Sequence, residues 1–284
     1  MTDLKQLYQE YGEYNVMFNQ LNWPSPSVEY AWLRTKRLLH DEVVRIVNHL
    51  QITKKDIRIV DLGCGNGAFI IRLAQAIPDE GVTFLGLDIS QPFVEYGKKA
   101  AKYREVEKRV SFNEDDSEAG GLPKGVDIVI CSEVLEHLVK PEEILEKINK
   151  SLNMGGYLLL TTPNAKNWIK YPLFFLKNLL AKESQRRLKM ELTVKEGRFK
   201  LAEEEQHLHV YGQDELVLLL GKSGFGVYKI KRSTTFFGGP FLDRHPFLLG
   251  LTMTFDAKMN LFNVTKLGWD NIVFARKIGT VPRK

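Results

Sequence analysis

Three groups of residues in this chain have the types and spacing to do chemistry. The first is Asp61 followed by Gly63, Gly65 and Gly67, with Cys64 between the glycines. Glycines let a backbone turn tightly and approach a ligand closely, and the helical pattern that begins at Ala68 would present free N–H groups to it. The second is Glu133, Glu136 and His137, at i, i+3 and i+4. If that segment turns into a helix, the two acids and the imidazole share one face, a set able to take a proton from a hydroxyl or to hold a divalent cation. The third is His207, His209 and Tyr211, whose alternation would turn them to one side of an extended chain.

These groups need elements to hold them. Apolar runs near 57–62, 82–88, 110–113, 126–132 and 155–162 read as strands, alternating with helical patterns near 67–77, 91–104 and 141–152. Pro141, followed by Glu142 and Glu143, suits a helix start. The alternation predicts an α/β fold with a parallel sheet and helices on both faces. Residues 1–50 carry helical spacing, with Leu38, Leu39, Val43, Val44 and Ile46 set among charged positions. Gln213 to Ser223 reads as a helix stopped at Gly224, and 226–234 and 271–277 as two final strands. In such a sheet ligands bind beyond the carboxyl ends of the strands. The glycine loop and the Glu133–His137 segment both follow strands there.

The glycine loop alone leaves two cofactors open. Gly63, Gly65 and Ala68 fit a dinucleotide fingerprint, with the acidic Asp88 after the second strand. The features that discriminate are Asp61 ahead of the glycines and the segments after the second strand. Val60 to Gly67 resembles the first motif of the class I S-adenosylmethionine-dependent methyltransferases, and Gly86 to Ser90 resembles their ribose-binding second motif. Val110 to Phe112 leading to Asp116 and Ser117 is similar to the third, Val126 to Glu133 to the fourth strand, and Gly155 to Asn164 to the fifth strand with its loop. A dehydrogenase would need only the first two. The resemblance implies a Rossmann-like fold: a mostly parallel seven-stranded sheet, helices on both faces, and an antiparallel closing hairpin.

The resemblance also implies roles. Backbone N–H groups from Gly63 through Cys64 and Gly65 to Gly67 would meet the amino-acid part of S-adenosylmethionine, with Asp61 holding the loop and the ligand's ammonium. Asp88 would accept both ribose hydroxyls, since a carboxylate offers two oxygens. Ile89 would pack on the adenine, Asp116 or its neighbour Asp115 would accept from the exocyclic amine, and Ser117 lies beside them. Glu133 borders the same site. His137 and His209 are the expected catalytic residues, His137 as a base or as a hydrogen-bonding link to the neighbouring loop. The trio Glu133, Glu136 and His137 resembles the ubiquinone-biosynthesis O-methyltransferases and the small-RNA 2′-O-methyltransferases, in which it is associated with a divalent metal. His207 or His209 would be the fourth ligand, although the same residues occur in relatives without a metal role, so the expected cofactor is S-adenosylmethionine alone.

Composition bounds the setting. Of 284 residues 44% are hydrophobic and 26% charged, enough for a packed core rather than a disordered chain. Two cysteines, Cys64 and Cys131, do not make a disulfide scaffold, and no charged-then-apolar leader follows Met1, so the expected location is the cytoplasm. The formal net charge is +5, yet residues 164–200 hold ten Lys or Arg against three Glu, so the basic excess sits there. That stretch, with Trp168, Phe174, Phe175 and the later run Phe236 to Leu242, suits a lid, an anionic membrane surface or nucleic-acid phosphates. The domain reading is a lead-in over 1–50, a cofactor-binding core over 51–163, a basic and apolar insertion over 164–206, and the remainder over 207–284. The function implied is O-methylation of a small, lipid-like or glycan-linked acceptor. An RNA 2′-O-methyltransferase and a non-catalytic cofactor-binding partner protein are the alternatives, and the oligomeric state stays open.

Overall fold

A computed structural model describes residues 26–115, 120–165, 208–235, 240–262 and 264–279. The expectations on Asp116, Ser117 and His207, on the basic stretch from residue 166, on the run 236–239 and on residues 1–25 lie outside the described residues.

The first described element is α1 (Pro26–Leu50). Next come β1 (Ile57–Leu62), α2 (Ala68–Ala76), β2 (Val82–Asp88), α3 (Gln91–Tyr103) and β3 (Val110–Glu114). They are followed by β4 (Val126–Ser132), α4 (Pro141–Ser151), β5 (Leu152–Pro163), α5 (Gln213–Lys222) and β6 (Phe225–Arg232). The helices α6 (Pro240–Asp243) and α7 (Pro246–Leu261) precede β7 (Asp270–Lys277). The strands form one seven-stranded sheet in the order β3-β2-β1-β4-β5-β7-β6. β1 pairs in parallel with β2 and β4, β2 with β3, and β4 with β5. β7 lies antiparallel between β5 and β6. The closing pair is therefore present, but the chain from β6 to β7 carries α6 and α7 instead of a tight turn.

Alternation along each strand sends side chains to two cores. Ile57 and Ile59 join Leu39, Val43, Ile46 and Val47 of α1, Ile70 and Leu73 of α2 and Val94 of α3 on one face. Val60 and Leu62 join Ile144, Leu145 and Ile148 of α4 and Leu216 and Leu220 of α5 on the other. β5 begins three residues before the apolar run that announced it, because Leu152 already pairs with Val126 ahead of an irregularity near Gly155, whose φ is +74°. Phe112 of β3 fills the space under the glycine loop: a Cβ on Gly67 would lie 2.4 Å from its ring, and one on Gly86 2.6 Å.

α1 is tied across the sheet by polar contacts. Buried Glu42 accepts from Tyr228 (3.0 Å), from Lys229 and from Arg45 (2.5 Å). At its start, Ser27 donates through its amide and hydroxyl to Asp243 of α6. Among the described residues no helix is long and apolar enough to cross a membrane. α7 nonetheless exposes Phe247, Leu251 and Phe255 at four-residue spacing, with Phe262 just beyond.

Candidate active site

β1 delivers Asp61 to its carboxyl end, and the chain then turns through Gly63, Gly65 and Gly67, all at positive φ (+71°, +55° and +78°). The turn closes on β2. The amides of Gly63 and Cys64 both donate to the Leu87 carbonyl, Gly65 N–H donates to Asp88 Oδ2 at 2.7 Å, and Gly67 N–H donates to the Cys64 carbonyl. This corrects the expectation that these N–H groups aim at a ligand: the tight turn consumes them. It also moves the loop-holding role from Asp61 to Asp88, whose other oxygen accepts from Ser90 N–H at 2.9 Å. What the loop offers is shape. Nothing lies within 4 Å of where a Gly65 Cβ would be, whereas one on Gly63 would strike Val134 at 2.3 Å. The two thiols are free and buried, and burial pushes both above the ordinary thiol range, so neither is poised as a nucleophile.

β4 and β5 deliver the second group differently from a helix face. Glu133 sits at φ +57°, outside any helix, and a single 3-10 turn spans Leu135–His137. The left-handed residue swings the Glu133 carboxyl back over the strand ends, where Thr161 Oγ1 donates to it at 2.6 Å. Glu136 is fully buried and accepts from Thr162 Oγ1 at 3.0 Å, while its Oε1 has no donor. Burial, then the neighbouring Glu136 charge, pushes Glu133 up to about 8, and burial pushes Glu136 up to about 7. The two carboxyls also act on one another, so the proton occupancy of each depends on the other. His137 Nε2 lies 3.9 Å from Glu136 Oε1. The trio is thus brought together, but by a left-handed residue and a tight turn.

The sequence reading missed the cation that faces these acids. Lys36 of α1 donates to Ser132 Oγ at 3.0 Å, and Ser132 is linked to Thr161 at 2.9 Å. Its ammonium lies 5.0 Å from the ring centres of both Trp32 and Phe69. Burial holds its pKa below the usual lysine range, while Asp61 and Glu133 hold it up. Asp61 is itself pushed up to about 7 by burial, with Lys36 opposing and Asp88 adding to the shift. In sequence the only trace of Lys36 is one lysine among several helix charges, with Trp32 four residues earlier.

His209 lies in the loop before α5, its ring stacked on Tyr211 at 6.0 Å, so the two do face one side. That loop docks on the 3-10 turn through the amides of Leu208 and His209, which both donate to the Glu136 carbonyl. The Tyr211 hydroxyl is buried without a partner among the described residues and pushed up to about 12, mainly by burial. Ile89 follows Asp88 and is half-buried. Among the described residues, no group of three His, Cys, Asp or Glu side chains is arranged to hold a metal ion.

Comparison with known proteins gives the family and the fold. A family model described as a methyltransferase domain matches residues 53–215. A ubiquinone biosynthesis O-methyltransferase of Coxiella burnetii is 29% identical over 117 residues, 40% of this chain and 47% of that protein. The mitochondrial enzyme of the same name from Schizosaccharomyces pombe is 31% identical over 106 residues, 37% of each. The chain therefore spans less than half the length of these curated relatives. Among solved structures, a magnesium protoporphyrin IX methyltransferase from Synechocystis with bound SAH superposes with a TM-score of 0.59 at 17% identity, over 96% of this chain and 99% of that one. A [4+2]-cyclase superposes with a TM-score of 0.52 at 18% identity, over 84% and 82%. At such identities the superpositions establish the fold, and the cyclase shows that the fold does not dictate one reaction.

Proposed function

This chain belongs to the methyltransferase-domain family, and we propose that it transfers a methyl group from S-adenosylmethionine to oxygen on a small, lipid-like or glycan-linked acceptor. One observation carries the reading: Asp61, Asp88 and Glu133 converge with the ammonium of Lys36 beside a glycine loop that is open in front of Gly65. A ligand with a sulfonium, an ammonium, a carboxylate and a ribose fits that set of groups. Asp61 and Glu133 suit the cations, Lys36 the carboxylate, and the spare lone pairs of Asp88 the ribose hydroxyls. When bound, the sulfonium supplies an electrophilic methyl carbon.

The protein's part is to orient the acceptor and take its proton. His137 and His209 flank the Glu136 turn and are the groups proposed for that transfer. The ubiquinone-type names of the relatives support an O-methyl acceptor of lipid-like character, and so does the apolar stripe on α7. Calorimetry with S-adenosylhomocysteine and with NAD tests the cofactor: heat from the former alone is expected, and heat from NAD alone overturns the reading. An extract supplied with labelled methyl donor tests the activity. Cofactor binding without transfer to any acceptor there would leave a non-catalytic binding protein.

A further inference from the structure

Lys36 explains one side of α1, and the other side holds a second cation that the cofactor reading does not use. Thr35 faces inward, and residues on either side of it leave a helix about 100° to the left and right. Lys36 is turned toward the end of β4. Arg34 lies near enough to Arg232, at the end of β6, for the two charges to act on one another. The alignment follows from Glu42, which meets Tyr228 and Lys229: eight residues back along α1 is about 12 Å, and the three or four residues from there to Arg232 cover about the same length of strand.

This corner brings two guanidiniums together and leaves several buried donors without an acceptor among the described residues. Arg232 is 1% exposed, donates to Thr235 Oγ1 at 2.7 Å and to Asp256 Oδ1 at 2.9 Å, and has its Nε–H buried without a partner among the described residues. Asp256 Oδ1 already accepts from Thr235 N–H at 2.9 Å and from its hydroxyl at 2.6 Å. Burial and the nearby Arg34 charge hold Arg232 below the usual guanidinium range, with Asp256 opposing. Among the described residues, Arg34 has no hydrogen bond or ion pair, and its Nε–H is buried. The hydroxyls of Thr35 and Thr234 are likewise buried and without a partner among the described residues. Buried donors are almost always satisfied, so a set of orphaned donors around two guanidiniums, with the carboxylate bonded to Arg232 already committed, calls for an anionic acceptor of hydrogen bonds.

We propose that Arg34, backed by Arg232 and Thr234, binds an oxyanion of the methyl acceptor, a carboxylate or a phosphate. This rests on the methyltransferase reading above and narrows its acceptor. The corner adjoins the reacting end of the site, since the backbone N–H of Asp270 donates to Ser233 Oγ at 2.9 Å while the carboxylate of the same residue acts electrostatically on Glu136. Thr162 on β5 and Arg232 on β6 are separated by two strand spacings, about 10 Å. The acceptor therefore carries its anionic group about one aromatic ring and a short linker away from the methylated oxygen. Guanidinium forks suit both oxyanions, and the probes below separate them.

The test uses the full chain saturated with S-adenosylhomocysteine, titrated with phenyl phosphate, benzoate and neutral phenol. One of the two anions is expected to bind at least about tenfold more tightly than phenol, and that anion identifies the group. Arg34→Gln is expected to weaken it by on the order of tenfold and Arg34→Lys by less, while phenol and S-adenosylhomocysteine bind all three proteins alike. Equal binding of phenol and both anions, or an anion affinity unchanged in Arg34→Gln, overturns the subsite. Failure of S-adenosylhomocysteine to bind the wild type overturns the cofactor reading instead, so the two failures are distinct.

Discussion

Glu133 holds a left-handed backbone conformation that costs a non-glycine residue on the order of 1 kcal/mol. A strand end that needed only a turn would have a glycine there. The carboxyl it places has a pKa near 8, so Glu133→Gln removes a proton site that opposes folding at high pH. The substituted protein without cofactor is expected to be more stable than wild type at pH 8 and to bind S-adenosylmethionine more weakly, by urea titration and calorimetry. A variant that keeps full affinity would remove Glu133 from the site. The loop glycines separate conformation from space. Gly67→Ala adds a clash with Phe112 to its backbone strain and is expected to cost about 2–4 kcal/mol. Gly65→Ala meets no neighbour, so it should cost only about 1 kcal/mol while lowering cofactor affinity much more than that strain explains. Thermal melts with and without cofactor check both.

Among the elements, α1 carries the unexpected weight. It supplies Lys36 to one half of the site and Arg34 to the other, and Glu42 fixes its position on β6. Burial opposes the ionised form of Glu42, but its hydrogen bonds win and hold its pKa below the ordinary carboxylate range. Its stabilisation is therefore present at neutral pH and lost as pH falls through that lowered value. Glu42→Ala is expected to cost about 1–2 kcal/mol, since Arg45 and Lys229 reach water, and to weaken cofactor binding without touching the site. Unchanged affinity in that variant would show that α1 is held by its apolar face alone. The contribution of α1 was invisible in sequence for a physical reason. Strand and loop motifs announce themselves through period-two apolar runs and glycine, which act locally, and those placed the sheet with Asp61, Asp88 and Glu133 at its strand ends, whereas the left-handed turn at Glu133 reads in sequence as a helix start. Lys36 and Arg34 act through long side chains from a helix docked far away in sequence, and their pattern there is that of any solvated helix face. Thr161 and Thr162 were hidden similarly, as ordinary β-branched residues closing a strand.

For the whole molecule the carboxyls of the site set a conflict between folding and binding. Asp61, Glu133 and Glu136 hold their protons up to about 7, 8 and 7, far above their unfolded values. The folded chain therefore binds more protons than the unfolded one between pH 5 and 8, and without cofactor its stability is expected to fall across that window. A cationic cofactor favours the ionised forms, so its affinity is expected to rise over the same window with release of protons. Calorimetry in two buffers of different ionisation heat measures that release directly, and zero release at pH 7 would refute the linkage. The position of β7 has a consequence of a different kind, concerning synthesis rather than equilibrium. The ribosome makes β6 before β7, yet β7 lies between β5 and β6. Until the 270–277 stretch has emerged, a nascent chain has five parallel strands with the β5 edge bare and β6 without a neighbour. An open edge of that sort is a template for pairing with another chain. The nascent chain is therefore most exposed to mispairing between the emergence of β5 and that of β7, when a nearly complete cofactor cradle stands beside an adhesive edge.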